Sequence, residues 1–170
     1  MASQDIMPKA ERKSRIMYID ARLDPAAGTP IWYKLGRDND DLSREYGWEE
    51  NDLLNVLGEF VSDNKISSNT VSADPFYARI GDDMASLLYM FDETRADLDR
   101  VKRDYAEVVI DLEAETVVYA FIQPAYILIQ SVGGPSDNAD NIPFNLKLTG
   151  KPQEATYNIA TESFTPVVTP

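Results

Sequence analysis

The side chains able to do chemistry in this sequence are above all carboxylates. There are 29 Asp and Glu against 16 Lys and Arg in 170 residues, and neither Cys nor His occurs. Thiol catalysis, disulfides, Cys- or His-ligated metals and every triad that runs through an imidazole are therefore excluded. What remains is carboxylate, Lys, Tyr or Ser chemistry, or a hard cation held by oxygen. With so many acids, a pair of them says little. Asp82-Asp83 is accounted for by a helix start. Asp38, Asp40 and Asp41 imitate the opening of a calcium loop but lack its central Gly and its later Glu. A glycosidase working with two carboxylates needs no His, yet only the presence of acids speaks for it. Gly133-Gly134 is followed by neither Lys-Ser/Thr nor a helix pattern, so it reads as a tight turn and not a phosphate cradle. The residues assign no catalytic group, cofactor or metal.

The net charge of −13 argues against a sequence-reading DNA-binding domain, which neutralises phosphates with Lys and Arg. The aromatic residues (9 Tyr, 6 Phe, 2 Trp) lack the basic clusters of a single-strand stacking platform. No apolar run reaches the roughly 18 to 20 residues that cross a bilayer. The segment 1–15 is polar and has no signal-peptide core, and the expected compartment is a reducing cytoplasm.

The elements that would position these groups are mostly strands. Ser14 to Ala21 and Ile31 to Leu35 read as a hairpin with a long turn, and Ser67 to Asp74 as a strand stopped by Pro75. Met84, Leu87, Leu88 and Phe91 recur at helical spacing, which predicts one amphipathic helix over 82–95 with a core-facing stripe. Strands then follow closely: Tyr105 to Leu112, Thr116 to Gln123, Ala125 to Val132, Ile142 to Leu148 and Glu154 to Ala160. Pro124 is expected to interrupt the second of these. Glu107 and Asp111 fall on the polar side of the first. The expected architecture is a single mainly-β domain over 1–170, a β-sandwich or partly open barrel with one flanking helix.

Three stretches do not fit that pattern. The segment 1–13 reads as an N-terminal arm, locally basic through Lys9, Arg12 and Lys13, and 161–170 as a C-terminal arm. The segment 36–64 reads as a long loop. Between Arg37 and Asp63 nine acids face two bases, a local net of −7, yet Trp48, Leu53, Leu54, Val56, Leu57 and Phe60 lie in the same stretch. Acid mixed with large apolar side chains points to packing against something. Two readings stand side by side: a loop packed on a partner such as a second copy, or strands near 42–48 and 65–73 packed on their own domain.

Several short motifs occur in a recognisable order: Asn55-Val56-Leu57-Gly58-Glu59, Asp74-Pro75-Phe76-Tyr77 ahead of the helix, Gln130-Ser131-Val132-Gly133-Gly134, Ile142-Pro143-Phe144-Asn145-Leu146, Gly150, and Ser163-Phe164-Thr165-Pro166. Together, over roughly residues 14–168, they resemble the major tail protein, or tail tube protein, of long-tailed non-contractile phages of Gram-positive hosts. Pro135 departs from the pattern, which has an Asp after the two glycines.

The resemblance implies a non-enzymatic virion protein. It would form six-membered rings that stack into a tail tube around a tape-measure protein, bounded by a tail terminator and a distal tail protein, with genomic DNA as passing cargo and no membrane insertion. Assembly would take place in the host cytoplasm. Subunit and ring contacts would fall on Lys9, Arg12, Lys13, Trp48, Leu53, Leu54, Val56, Leu57, Phe60 and Phe164. Acids such as Glu107 and Asp111 would line the lumen and repel phosphate. The alternatives are another injection-machine component (a tail terminator or a contractile-type inner tube) and, from a different class, a β-sandwich that binds carbohydrate or a cell surface.

Overall fold

The computed structural model describes residues 10–37, 39, 41–54, 56–136 and 139–168. Among these described residues, nine strands and one α-helix follow in chain order: β1 (Arg15–Asp20), β2 (Trp32–Lys34), β3 (Arg44–Leu54), β4 (Phe60–Ala73), α1 (Asp83–Thr94), β5 (Lys102–Asp111), β6 (Thr116–Ile129), β7 (Phe144–Leu148), β8 (Gln153–Asn158) and β9 (Ser163–Pro166). The main sheet runs β2-β1-β5-β6-β7-β4-β3, with every pairing antiparallel. β8 touches the ladder only at Phe121 and Ile122 of β6, then pairs with β9. Among the described residues no helix is long and apolar enough to cross a membrane.

Two cores result, because the central strands are covered on both faces. On one side the predicted stripe Met84, Leu87, Leu88 and Phe91 packs on Met17, Ile19, Tyr105, Ala125, Ile127, Phe144 and Leu146. On the other, Tyr18, Ala106, Val108, Ile110, Ala120 and Ile122 meet Ala155, Tyr157 and Phe164 from the β8–β9 hairpin. Neighbouring residues of β1 and β5 thus enter different cores, as the two-residue period of a strand requires. The fold is mainly β with an open sheet, in keeping with the expected sandwich or partly open barrel.

The helix spans Asp83–Thr94. Asp82 occupies the N-cap position but makes no capping bond; its carboxylate accepts the Tyr33 hydroxyl at 2.9 Å instead. The other end closes with Arg95 in the left-handed region and the Ala96 N–H donating to the Phe91 carbonyl.

Three sequence expectations change. Residues 161–170 are not simply an arm, since Ser163–Pro166 is β9 and Glu154 to Ala160 is therefore not the last strand. β6 runs unbroken through Pro124. The Pro124 carbonyl accepts the Thr149 N–H, so the missing N–H faces the same side, at the point where β6 passes from pairing with β8 to pairing with β7. No ladder bond is lost there, and the proline is tolerated in a central strand. The third change is the 36–64 loop, taken up below.

The turn between β5 and β6 holds Glu115 at φ 51. Asp111 organises this turn, its Oδ1 accepting the N–H groups of Glu113 and Ala114. A non-glycine residue in the left-handed region costs about 1 kcal/mol, partly offset by the greater entropy that glycine loses on folding. Glu115→Gly is therefore expected to stabilise the chain by about 0.5 kcal/mol, read as a rise of roughly 1–2 °C in melting temperature. A fall in melting temperature would show that the Glu115 side chain makes a contribution larger than its backbone strain.

Candidate functional site

The stretch expected as a long loop is for most of its length a β-hairpin. β3 and β4 pair from Arg44↔Val71 to Leu54↔Phe60, with a register shift between Gly47 and Trp48. β7 supports β4 only from Thr70 to Ala73. Beyond that point β4 has β3 as its sole strand partner among the described residues, so the hairpin leaves the sheet as a two-stranded ribbon. From Tyr46 to Leu54 this ribbon extends roughly 25–30 Å. The reading of strands near 42–48 and 65–73 is correct as to secondary structure. The strands nevertheless continue well past the body of the protein.

The ribbon exposes apolar side chains. Trp48 is 62% exposed, Leu54 63%, Val56 104% and Leu57 79%, and Tyr46 and Ile66 are also open to solvent. A two-stranded ribbon with no second layer is at best marginal in water, so exposed apolar residues on one call for a covering partner. Of the predicted contact residues, Trp48, Leu54, Val56 and Leu57 are gathered here. Leu53 and Phe60 pair through their backbones with Val61 and Leu54; their side chains, and Lys9, lie outside the described residues. Arg12 belongs to a 3-10 turn, Arg12–Ser14, and donates to the carbonyls of Leu42 (2.6 Å) and Arg15 (2.8 Å). Lys13 pairs with Glu11 at the surface.

Phe164 is a correction. It was expected at a subunit contact, but it is buried in its own chain. Its ring centroid lies 4.8 Å from Tyr157, 5.1 Å from Trp32 and 5.3 Å from Tyr18. Pairing with β8 turns it inward, onto the second core. There the Tyr18 and Tyr157 hydroxyls share a 2.7 Å hydrogen bond, and burial, then that bond, push the Tyr18 phenol well above its ordinary range.

Glu107 is a second correction. It is not a lumen acid but is fully buried, at 0% exposure. Arg15 of β1 pairs with its Oε1 and Arg44 of β3 approaches Oε2 at 3.5 Å. The hydroxyls of Tyr105 and Tyr119 donate to it at 2.7 and 3.2 Å. Burying a carboxylate in a core is costly unless such partners replace the water it loses. Burial, followed by the Glu107 charge, raises the Tyr105 phenol far above its usual value. Asp111, the other acid assigned to the lumen, is exposed and serves the β5–β6 turn.

The Arg44–Glu107 contact also reveals the curvature of the sheet. β6, β7 and β4 separate β3 from β5 in strand order, yet the first residue of β3 reaches β5. The sheet must coil until its far strand lies over the middle, where the Arg44 guanidinium sits 5.1 Å from the Phe121 ring centroid and 5.2 Å from that of Tyr46. This network anchors the root of the ribbon. Sequence reasoning missed Arg15 and Arg44. The available signal was Glu107 itself, a lone acid amid Tyr105, Ala106, Val108 and Ile110, which called for basic partners elsewhere.

Beside that root lies a cleft of about 760 Å3. It is lined in part by Arg44, Leu98, Gln123, Tyr126, Leu128 and Lys147, and no carboxylate is among the described lining residues. Among the described residues, Gln123 Oε1 and Asn69 Oδ1 are buried acceptors without a donor.

No protein-family model matches the chain. No curated protein matches it either. Among solved structures, the anti-feeding prophage cap, a tube terminating cap seen by cryo-electron microscopy, is similar over 87% of this chain and 93% of that chain, with 11% sequence identity and a TM-score of 0.49.

Proposed function

We propose that the chain is a non-enzymatic structural component of a phage-type tail, a tube subunit that assembles into stacked six-membered rings around a tape-measure protein. The reading rests on the ordered motifs that resemble the tail tube proteins and on one structural observation: a long ribbon leaves the sheet with Trp48, Leu54, Val56 and Leu57 exposed along it. A protein that functions alone would be poorly served by such an element, because a long two-stranded ribbon with exposed apolar side chains invites association. Head-to-tail association through two different patches closes into a ring when the rotation between neighbours divides the circle, and stacks without limit otherwise. The expected partners are further copies, a tail terminator and a distal tail protein, with genomic DNA passing through as cargo. The site of action is the virion tail. The net charge of −13 would keep phosphate from adhering to the wall. With Glu107 buried, the acids that line a lumen must be sought among exposed residues.

The test is assembly of the purified chain, followed by sedimentation and negative-stain microscopy up to high concentration. Rings or smooth tubes are expected. Leu54→Asp combined with Leu57→Asp should raise the concentration needed for assembly at least tenfold and leave the melting temperature of the monomer unchanged, because both positions are exposed in the isolated chain. Single rings that never stack would favour the terminator alternative. A strict monomer at every concentration would sink the proposal and favour the binding module.

A further inference from the structure

The ribbon presents one half of an interface, and the other half can be sought on the same chain, since a head-to-tail contact joins two different patches. The ribbon, residues 44–73, carries six acids against Arg44 and Lys65, with Leu54, Val56 and Leu57 exposed at its end. Its complement must be apolar and poor in carboxylates, on a chain that holds 29 of them. The cleft beside the ribbon's root has this character. Leu98 is 62% exposed at its edge, Tyr126 and Leu128 are half-buried within it, Lys147 is exposed, and no carboxylate is found among the described lining.

A second observation sets this cleft apart. Gln123, only 4% exposed, is among the lining residues, and its Oε1 is an enclosed acceptor that no donor in the described chain satisfies. Its amide cannot be reversed to remove the difficulty, because Nε2 already donates to the carbonyls of Gly150 (2.9 Å) and Thr149 (3.4 Å). A buried acceptor without a donor costs about 1–3 kcal/mol. A segment seated in the cleft that lets the Gln123 side chain turn towards it would supply the missing donor from its backbone N–H groups.

The geometry points to the hairpin end of a second copy as the occupant of this cleft, with Leu54, Val56 and Leu57 against Leu98, Tyr126 and Leu128, and the ribbon's acids towards Lys147. This rests on the tube-subunit reading and names the surface that receives the ribbon. The chain's own hairpin end cannot fill the cleft. Tyr46 and Ile66 at the ribbon's root line the same cleft, and the end lies roughly 25–30 Å further along the strands. Each copy therefore offers an end to one neighbour and a cleft to the other, a contact that propagates and can close into a ring.

Because the chain contains no Cys, cross-linking is free of background. Val56→Cys and Leu98→Cys are made as separate full-length proteins, mixed under assembly conditions and mildly oxidised. Both positions are exposed, so neither substitution should disturb the fold. A disulfide-linked mixed dimer in at least fivefold excess over the two like dimers is expected, together with at least a tenfold rise in the assembly concentration for Leu98→Glu with Lys147→Glu. Rings or tubes that form without the mixed dimer, or that yield mainly Val56→Cys like dimers, would overturn the docking assignment and leave the tube reading standing. Failure of every variant and of the unsubstituted chain to assemble would overturn both.

Discussion

Glu107→Ala should lower the unfolding free energy by about 4 kcal/mol, measured by urea titration of the monomer. Removing one partner of a buried ion pair leaves the other desolvated and uncompensated, which costs about 3–5 kcal/mol. Here the orphaned groups are the Arg44 guanidinium, whose side chain is 15% exposed, and the buried Tyr105 hydroxyl, whereas water can replace the bond lost by the exposed Tyr119. Arg15 contributes less, because at 38% exposure water replaces much of what it loses. Glu107→Gln should cost less, about 2–3 kcal/mol, because the amide still accepts from the tyrosines but no longer offsets two positive charges. Replacing Arg15, Arg44 and Glu107 together by apolar residues of similar size should recover most of the loss, since the network's desolvation penalty disappears with it. Against a total stability of about 5–15 kcal/mol for an ordinary domain, the single substitution to Ala is severe. A loss below 1 kcal/mol would mean that water reaches the carboxylate and that the root of the ribbon is not anchored there.

Phe164→Ala should destabilise the monomer by about 3–4 kcal/mol. The ring is 7% exposed and contacts Tyr18, Trp32 and Tyr157, so truncation removes both its transfer free energy and its edge-on aromatic contacts, leaving a cavity between the two layers. The prediction separates two roles. A Phe164 that served only a subunit contact would leave monomer stability unchanged and alter assembly alone. A change in unfolding free energy within 0.5 kcal/mol would restore that interface role and contradict the packing of β9 on the second core. Leu54→Ala is the matching control: exposed at the ribbon's end, it should scarcely affect the monomer.

The parts of the fold legible in the sequence are those governed by local periodicity. The spacing of Met84, Leu87, Leu88 and Phe91 placed the helix to within a residue at each end, because a 3.6-residue stripe has few other uses. Trp48, Leu54, Val56 and Leu57 stand out in the sequence as large apolar side chains among acids, but the sequence leaves open whether they cover their own domain or stay exposed, because that depends on where the ribbon leaves the sheet. Pro124 misled because its penalty depends on which edge of the strand its missing N–H faces, and that is set by the handover from β8 to β7. Phe164 misled because the strand it belongs to exists only through pairing with β8.

Glu107 marks the boundary most clearly. Alternation along β5 put it opposite Val108 and Ile110, and a polar residue on the face away from an apolar stripe is ordinarily taken to face water. In the folded chain that face is covered too. The coiled sheet brings Arg44 from the far end of the strand order, and Arg15 comes from the neighbouring strand. The amino-acid sequence by itself determined the chemical repertoire: no thiol, no imidazole, a strong acid excess, many strands and one helix. Tertiary structure alone decided which acid is buried, where the ribbon leaves the sheet and which cleft lies at its root. The physical reason is that periodicity reports one face of one element at a time. Burial, ion pairing and clefts arise where elements far apart in the chain meet, and sheet curvature brings them together.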